Sequence, residues 1–163
     1  MHVLVVTVVH NPSDARIRYR QIRALLEAGH QVTYLAPFER FGQPLPQDEG
    51  IENLTGFSIS RAEGRKRLGA LREARAAVAM HAPGKDIVLM HDPELVLAVA
   101  RLKDLPPVVW DVHEDTAATM TLKPWLPKPA RPAGVRLAKF IERYAEQHYH
   151  LILADDRDRH VVR

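Results

Sequence analysis

Short apolar runs rich in valine and isoleucine alternate along the whole chain with longer stretches of helical periodicity. Residues 3–9, 31–36, 86–90, 107–112 and 150–154 form such runs, and residues 51–60 form a weaker one. Most lack the polar–apolar alternation of a half-exposed strand, so they suit strands buried on both faces, as in a parallel sheet. Between them lie helical patterns. Ser13-Asp14 supplies a helix start, Ile17, Ile22, Leu25, Leu26 and Ala28 an apolar stripe, and Gly29 a helix end. Residues 65–82 carry a stripe of Leu68, Leu71, Ala74, Val78 and Ala82. Pro93 fits the first position of a helix reaching about Arg101. Residues 135–149 carry Leu137, Ala138, Ile141, Tyr144 and Ala145. The Pro- and Gly-bearing stretches 37–50 and 123–132 read as loops.

Strand–helix alternation of this kind predicts an α/β fold: a single Rossmann-like, three-layer domain over residues 1–163, with a mostly parallel sheet and right-handed crossovers. Ligands bind such sheets at the carboxyl ends of the strands. The residues to weigh are therefore His10-Asn11, Pro37-Phe38, His91-Asp92, His113-Glu114 and Asp155-Asp156.

Composition removes several function classes. The 163 residues, 46% of them apolar, suffice for an unaided core. With no cysteine, a disulfide scaffold, a thiol nucleophile and a Cys-based zinc site are excluded. The charge of +3 comes from arginines spread over many segments. No basic stretch is interleaved with aromatics, so nucleic acid is not an expected partner. A basic surface is compatible with peripheral association with an anionic membrane or with a phosphate-bearing substrate. No apolar run approaches the roughly 18 residues of a spanning helix. The apolar start has no basic leader and reads as a first strand, so the expected location is cytoplasmic.

The strand-end residues narrow the chemistry. A dinucleotide-binding domain carries G-x-G-x-x-G after its first strand. Here the segment is His10-Asn11-Pro12-Ser13-Asp14-Ala15-Arg16, without a glycine, which disfavours NAD or FAD. The helix start beyond it can hold an anion through its free N–H groups, with Arg16, Arg18 and Arg20 near enough to assist. Asp14 as a simple cap and Arg16 as a solvated cation weigh equally. Arg18 and Arg20 read as solvated.

His91-Asp92-Pro93-Glu94 ends a strand and opens a helix, which makes Asp92 and Glu94 natural cap and dipole partners. His91 has no such duty. In Asp111-Val112-His113-Glu114, alternation puts Asp111 and His113 on one side, where a carboxylate can orient an imidazole base. Asp111 and Glu114 as turn caps is the competing reading. A metal site from His91, Asp92, Asp111 and His113 ranks lower, and no metal or cofactor is expected.

Four segments, in order, resemble the N-terminal domain of group-1, family-4 glycosyltransferases. Residues 1–35 match in Asp14, Arg16, Ile17, Leu25, Gly29, His30, Val32 and Thr33. His91-Asp92-Pro93-Glu94-Leu95 is similar to the family's H-x-D/H-D segment. Val109-Trp110-Asp111-Val112-His113-Glu114 is similar to V-x-D-x-H-E. Residues 142–155 resemble the E-x-x-x-x-x-x-A-D helix and the strand that closes that domain. Some members carry a Gly-Gly pair in the first loop, and this chain does not.

The resemblance implies a GT-B fold, in which this chain is the acceptor-side half and a donor-binding C-terminal domain lies outside it. It implies sugar transfer from a nucleotide-sugar, as co-substrate, to an acceptor hydroxyl on a small molecule, lipid or glycan. Anomeric retention and metal independence are implied too. His113 is the implied catalytic residue, supported by Asp111 and Glu114. Asp14, Arg16, His91 and Asp92 are the implied substrate-binding residues. The isolated half is expected to be inactive. Two other readings are a GT-B half of the nucleotide-sugar 2-epimerase kind and a stand-alone, non-catalytic binding module.

Overall fold

Valine, leucine and isoleucine concentrate where the backbone is extended, and each apolar run becomes a strand. The computed structural model describes residues 1–112 and 131–153. Its strands are β1 (His2–Val6), β2 (Gln31–Ala36), β3 (Leu54–Ser58), β4 (Ile87–Met90), β5 (Val108–Val112) and β6 (His150–Leu153). They form one sheet in the order β3-β2-β1-β4-β5-β6. Every pairing in it is parallel. The order reverses between β1 and β4, which creates a topological switch point.

The helices are α1 (Arg23–Glu27), α2 (Arg67–His81), α3 (Pro93–Val99) and α4 (Arg131–His148). The pleat of β1 sends alternate residues to opposite faces. Leu4 and Val6 join Val88, Met90, Val108 and Trp110 on one face, beneath Ala74 and Val78 of α2, Leu95 and Val99 of α3, and Ile141 and Ala145 of α4. Val3 and Val5 join Val32, Tyr34, Leu54 and Leu89 on the other, beneath Ile17 and Ile22, with Leu25 and Leu26 of α1 packed alongside. The result is the expected three-layer Rossmann-like arrangement.

Several local expectations are corrected. The first strand stops at Val6 rather than at residue 9, because Thr7 and Val8 turn to a carboxylate from the end of β4. The first helix does not begin as a regular α-helix: Ile17–Ile22 form a π-helical turn before α1. The end of α1 is as the sequence indicates. Gly29 takes φ +77°, and the His30 and Gly29 amides bond the Leu25 and Leu26 carbonyls, the Schellman pattern that needs a residue without Cβ. Helix α2 buries Ala70, Ala74 and Val78, while Leu68, placed on the stripe from its spacing, faces solvent. In α4 the buried residues are Ala138, Ile141, Glu142 and Ala145, and Leu137 is outside them. That helix starts at Arg131, earlier than the expected 135, with Pro132 in its first turn, where a missing N–H is tolerated.

Candidate functional site: the rim of the switch point

Three segments meet at the carboxyl ends of β1, β4 and β5: the loop after β1, the His91-Asp92 pair after β4, and Asp111 within the last turn of β5. All lie at or beside the switch point, where an open α/β sheet leaves its crevice.

Asp92 occupies the position before α3, yet its side chain makes no capping bond to that helix. It points across the crevice. Its Oδ2 accepts from the Thr7 hydroxyl at 2.8 Å and from the Val8 amide at 2.6 Å. The carboxylate is buried, 1% exposed, so these charge-assisted bonds are what make its burial tolerable. The cap reading of Asp92 is thus corrected, since its bonds run to the end of β1. Its other oxygen lies 3.4 Å from His10 Nε2, and His10 Nδ1 lies 3.8 Å from Asp14 Oδ2. Asp14 also holds the loop itself: its Oδ1 accepts from the amides of Arg16 and Ile17 at 2.9 and 3.1 Å. Tyr34, buried under the loop, donates to the Pro12 carbonyl at 3.3 Å. Burial, with Asp14 and Asp92 adding to it, raises its hydroxyl well above the ordinary tyrosine value, so it stays a neutral donor.

Asp111 is the second buried carboxylate, with no exposed surface. Arg16 grips it with two nitrogens, Nε to Oδ2 at 2.8 Å and Nη2 to Oδ1. Gln21 Nε2 donates to Oδ2 at 2.7 Å, and His91 Nδ1 lies 3.4 Å from the same oxygen. Burial by itself would raise the Asp111 carboxyl. The hydrogen bonds from His91, Arg16 and Gln21, with the charge of His91, outweigh burial and hold it well below the usual carboxylate range. The turn-cap reading of Asp111 is therefore replaced by one in which three side chains are drawn together.

The π-helical turn explains why Arg16 and Gln21 reach one carboxylate. Its i→i+5 closure, seen in the Gln21 amide bonding the Arg16 carbonyl at 3.0 Å, stacks residues five apart. The same widening stacks Ile17 on Ile22, both fully buried. An α-helical spacing separates each pair, which leaves Gln21 without a visible role in the sequence. Thr7 had no role in the sequence reading, although it is the one hydroxyl in an otherwise apolar run. His10 was noted as a strand-end residue but given no role.

Two tiers result. Asp92, Asp111, His91 and Thr7 lie below the surface. Above them are His10 and Asp14, each side chain 31% exposed, and Arg16, 27% exposed. Of the residues expected to bind substrate, Asp14 and Arg16 are reachable by a ligand, and His91 and Asp92 support them from beneath. The expected catalytic residue His113 and its neighbour Glu114 lie outside the described residues. Among the described residues, the imidazole against Asp111 is that of His91. No group of three or more metal-ligating side chains is placed to hold an ion among the described residues, and no described helix is long and apolar enough to cross a membrane.

The strand order and the all-parallel pairing define a Rossmann-like α/β domain. The model of the glycosyl transferase 4-like domain matches residues 15–158, and the chain belongs to that family. No curated protein matches it. Among solved structures, it is similar to a short-chain dehydrogenase/reductase from Burkholderia vietnamiensis, at 12% identity and TM-score 0.54, over 96% of this chain and 84% of that one. A short-chain dehydrogenases/reductase from Veillonella parvula DSM 2008 in complex with NADP gives 16% identity and TM-score 0.48, over 93% and 66% of the two chains. At 12% identity the likeness to the Burkholderia vietnamiensis structure establishes the fold alone.

Proposed function

We propose that this glycosyltransferase domain is the acceptor-side half of a GT-B enzyme. A facing donor-binding domain supplies a nucleotide-sugar, and the sugar passes to an acceptor hydroxyl with retention. The observation that carries the reading is the two-tier rim, in which two reachable side chains are backed by buried carboxylates: His10 by Asp92, and Arg16 by Asp111. Such backing fixes a side chain at little further entropic cost when ligand arrives. Arg16, its charge already matched by Asp111, is held in place at the rim, and His10 and Asp14 offer hydrogen bonds to a hydroxyl. His91 and Asp92 act as supports. The imidazole of His113, next in the chain after β5, is assigned to the reacting hydroxyl, with Asp111 and Glu114 as its supports. No metal or other cofactor takes part, and the reaction runs on the cytoplasmic side.

The test is transfer from a panel of uridine and guanosine diphosphate sugars, followed by mass spectrometry. It is run with the 163-residue chain and with the enzyme containing a donor-binding domain. Transfer only by the latter, with the anomeric configuration retained by NMR, is the expected result. Transfer by this chain alone would overturn the two-half reading. Epimerised nucleotide-sugar formed without acceptor would replace transfer by epimerisation.

A further inference from the structure

Beyond the rim, past the ends of β2 and β3, lies a cleft of about 450 Å³. That lies within the roughly 300–1,000 Å³ usual for small-molecule sites, but such sites are mostly apolar and this one is ionic. Glu39 and Arg40 line it from the turn after β2, and Lys66 and Glu73 from the start and body of the helical segment around α2. Residues 58–61 also line it, and Ile59, its one apolar residue, is itself buried.

The cleft is built rather than accidental. Glu63 receives Arg40 at 2.8 Å and Arg61 at 3.1 Å. Glu73 accepts from the Ser60 amide at 3.1 Å, and the Ser58 hydroxyl accepts from the Glu39 amide at 3.0 Å. Arg61 also lies over the Phe41 ring, 4.9 Å from its centre. The same guanidinium donates to the Val9 carbonyl at 3.1 Å, and the Ala62 amide bonds the Val8 carbonyl. The cleft wall at Arg61, with its neighbour Ala62, is thereby bonded to the backbone of Val8 and Val9 that leads into His10 at the rim.

Three carboxylates face three cations, so the lining is formally neutral. A phosphate entering would meet Glu39 and Glu73 as well as Lys66, while Arg40 and Arg61 are already committed to Glu63. An acyl chain would strip water from six charged side chains and return no hydrogen bonds. A neutral sugar ring satisfies both kinds of group, because its hydroxyls donate to carboxylates and accept from guanidinium and ammonium. We infer that this cleft is a subsite for a neutral saccharide unit at the far end of the acceptor, whose near hydroxyl lies at the rim. The inference rests on the acceptor-side reading above and narrows the acceptor to a glycan or glycoconjugate.

The test is an NMR titration of the isotope-labelled chain with methyl glucoside, mannoside, galactoside and N-acetylglucosaminide, and separately with inorganic phosphate and with octanoate. Saturable shifts of the 39–40 and 58–63 amides with at least one neutral glycoside are expected. The exposed-site variants Glu39→Gln and Lys66→Ala should each weaken that binding about tenfold, the loss of one charged hydrogen bond, and leave the remaining spectrum folded. Shifts with phosphate or octanoate alone, glycoside shifts mapping elsewhere, or no shifts at all overturn the subsite. Saccharide binding here without sugar transfer by the enzyme containing both domains would overturn the transfer reading and leave the subsite standing. Transfer to a sugar-free acceptor, with no glycoside bound, would do the reverse.

Discussion

Arg16 and Gln21, one wide helical turn apart, converge on the same oxygen of Asp111, at 2.8 and 2.7 Å. Arg16 is thereby tied to the end of β5, 95 residues further along the chain. The loop after β1 gets its shape from this tie and from the Asp92 bonds, without the glycines that usually fold such loops.

Removing Asp111 leaves Arg16, Gln21 and His91 facing one another without their common acceptor. Breaking a buried pair from one side costs about 3–5 kcal/mol. Asp111→Ala should therefore lower the unfolding free energy by about 3 kcal/mol and Tm by roughly 10 °C, measured by urea and thermal unfolding. A loss under about 1 kcal/mol would show that the cluster adds little to stability.

The same carboxyl sets an acid limit. Its folded pKa lies below the ordinary 3.8, so its contribution is complete above about pH 4 and fades as pH falls toward the folded value. In that window the unfolded chain binds the proton and the folded chain does not, so stability rises with pH. The urea midpoint should drop between pH 4 and pH 2, and Asp111→Asn should flatten that slope. An equal slope in the variant would place the acid sensitivity elsewhere.

Asp92 stands where a helix cap would, but it holds the end of β1. Asp92→Asn should accordingly speed amide exchange at Val8 and His10 while Leu95–Val99 of α3 exchange as before. Thr7→Val, which removes one donor to Asp92, should cost about 1–2 kcal/mol. Loosening of α3 with an unchanged β1 end would restore the cap reading.

Gly56 in β3 lies under Pro46. A Cβ there would sit 2.4 Å from Pro46 Cδ and 3.2 Å from Phe38 Cζ. A proline ring cannot swing aside as a flexible side chain does, so Gly56→Ala should destabilise by about 1–3 kcal/mol. Unchanged unfolding would mean that the 37–50 loop yields at no cost.

At the rim, His10→Gln tests the reachable tier. The side chain is partly exposed, so stability should hardly move, while kcat/KM for transfer by the enzyme containing both domains should fall at least about tenfold, as for one charged hydrogen bond. Wild-type transfer would remove His10 from the acceptor site.

The layered fold was legible because it rests on hydrophobic patterning. Runs of Val, Leu and Ile marked every strand but β3, whose signal was weaker, and β2 appears at the predicted residues. Positions that depend on side-chain direction were less legible. The spacing of Leu68 and Leu137 put them on buried stripes, but Ala70, Ala74 and Val78 fill one interface and Ala138, Ile141 and Ala145 the other. At the site, Asp14 and Arg16 were recognisable from their place at a strand end. The role of Asp92 was not, since a residue before Pro93 looks like a cap from sequence and only the approach of β1 redirects it. Gln21 was hidden because nothing in IRYRQI announces a π turn.

The sheet also divides the apolar interior into two bodies that do not mix. Val5 and Val6 are neighbours along β1, yet Val5 belongs to the body under Ile17 and Ile22, and Val6 to the one under α2 and α3. Evolution can therefore retune the two independently: truncations at these adjacent positions should approach additivity, whereas Val6 and Val78, remote in sequence, share one body and are free to compensate for each other's volume.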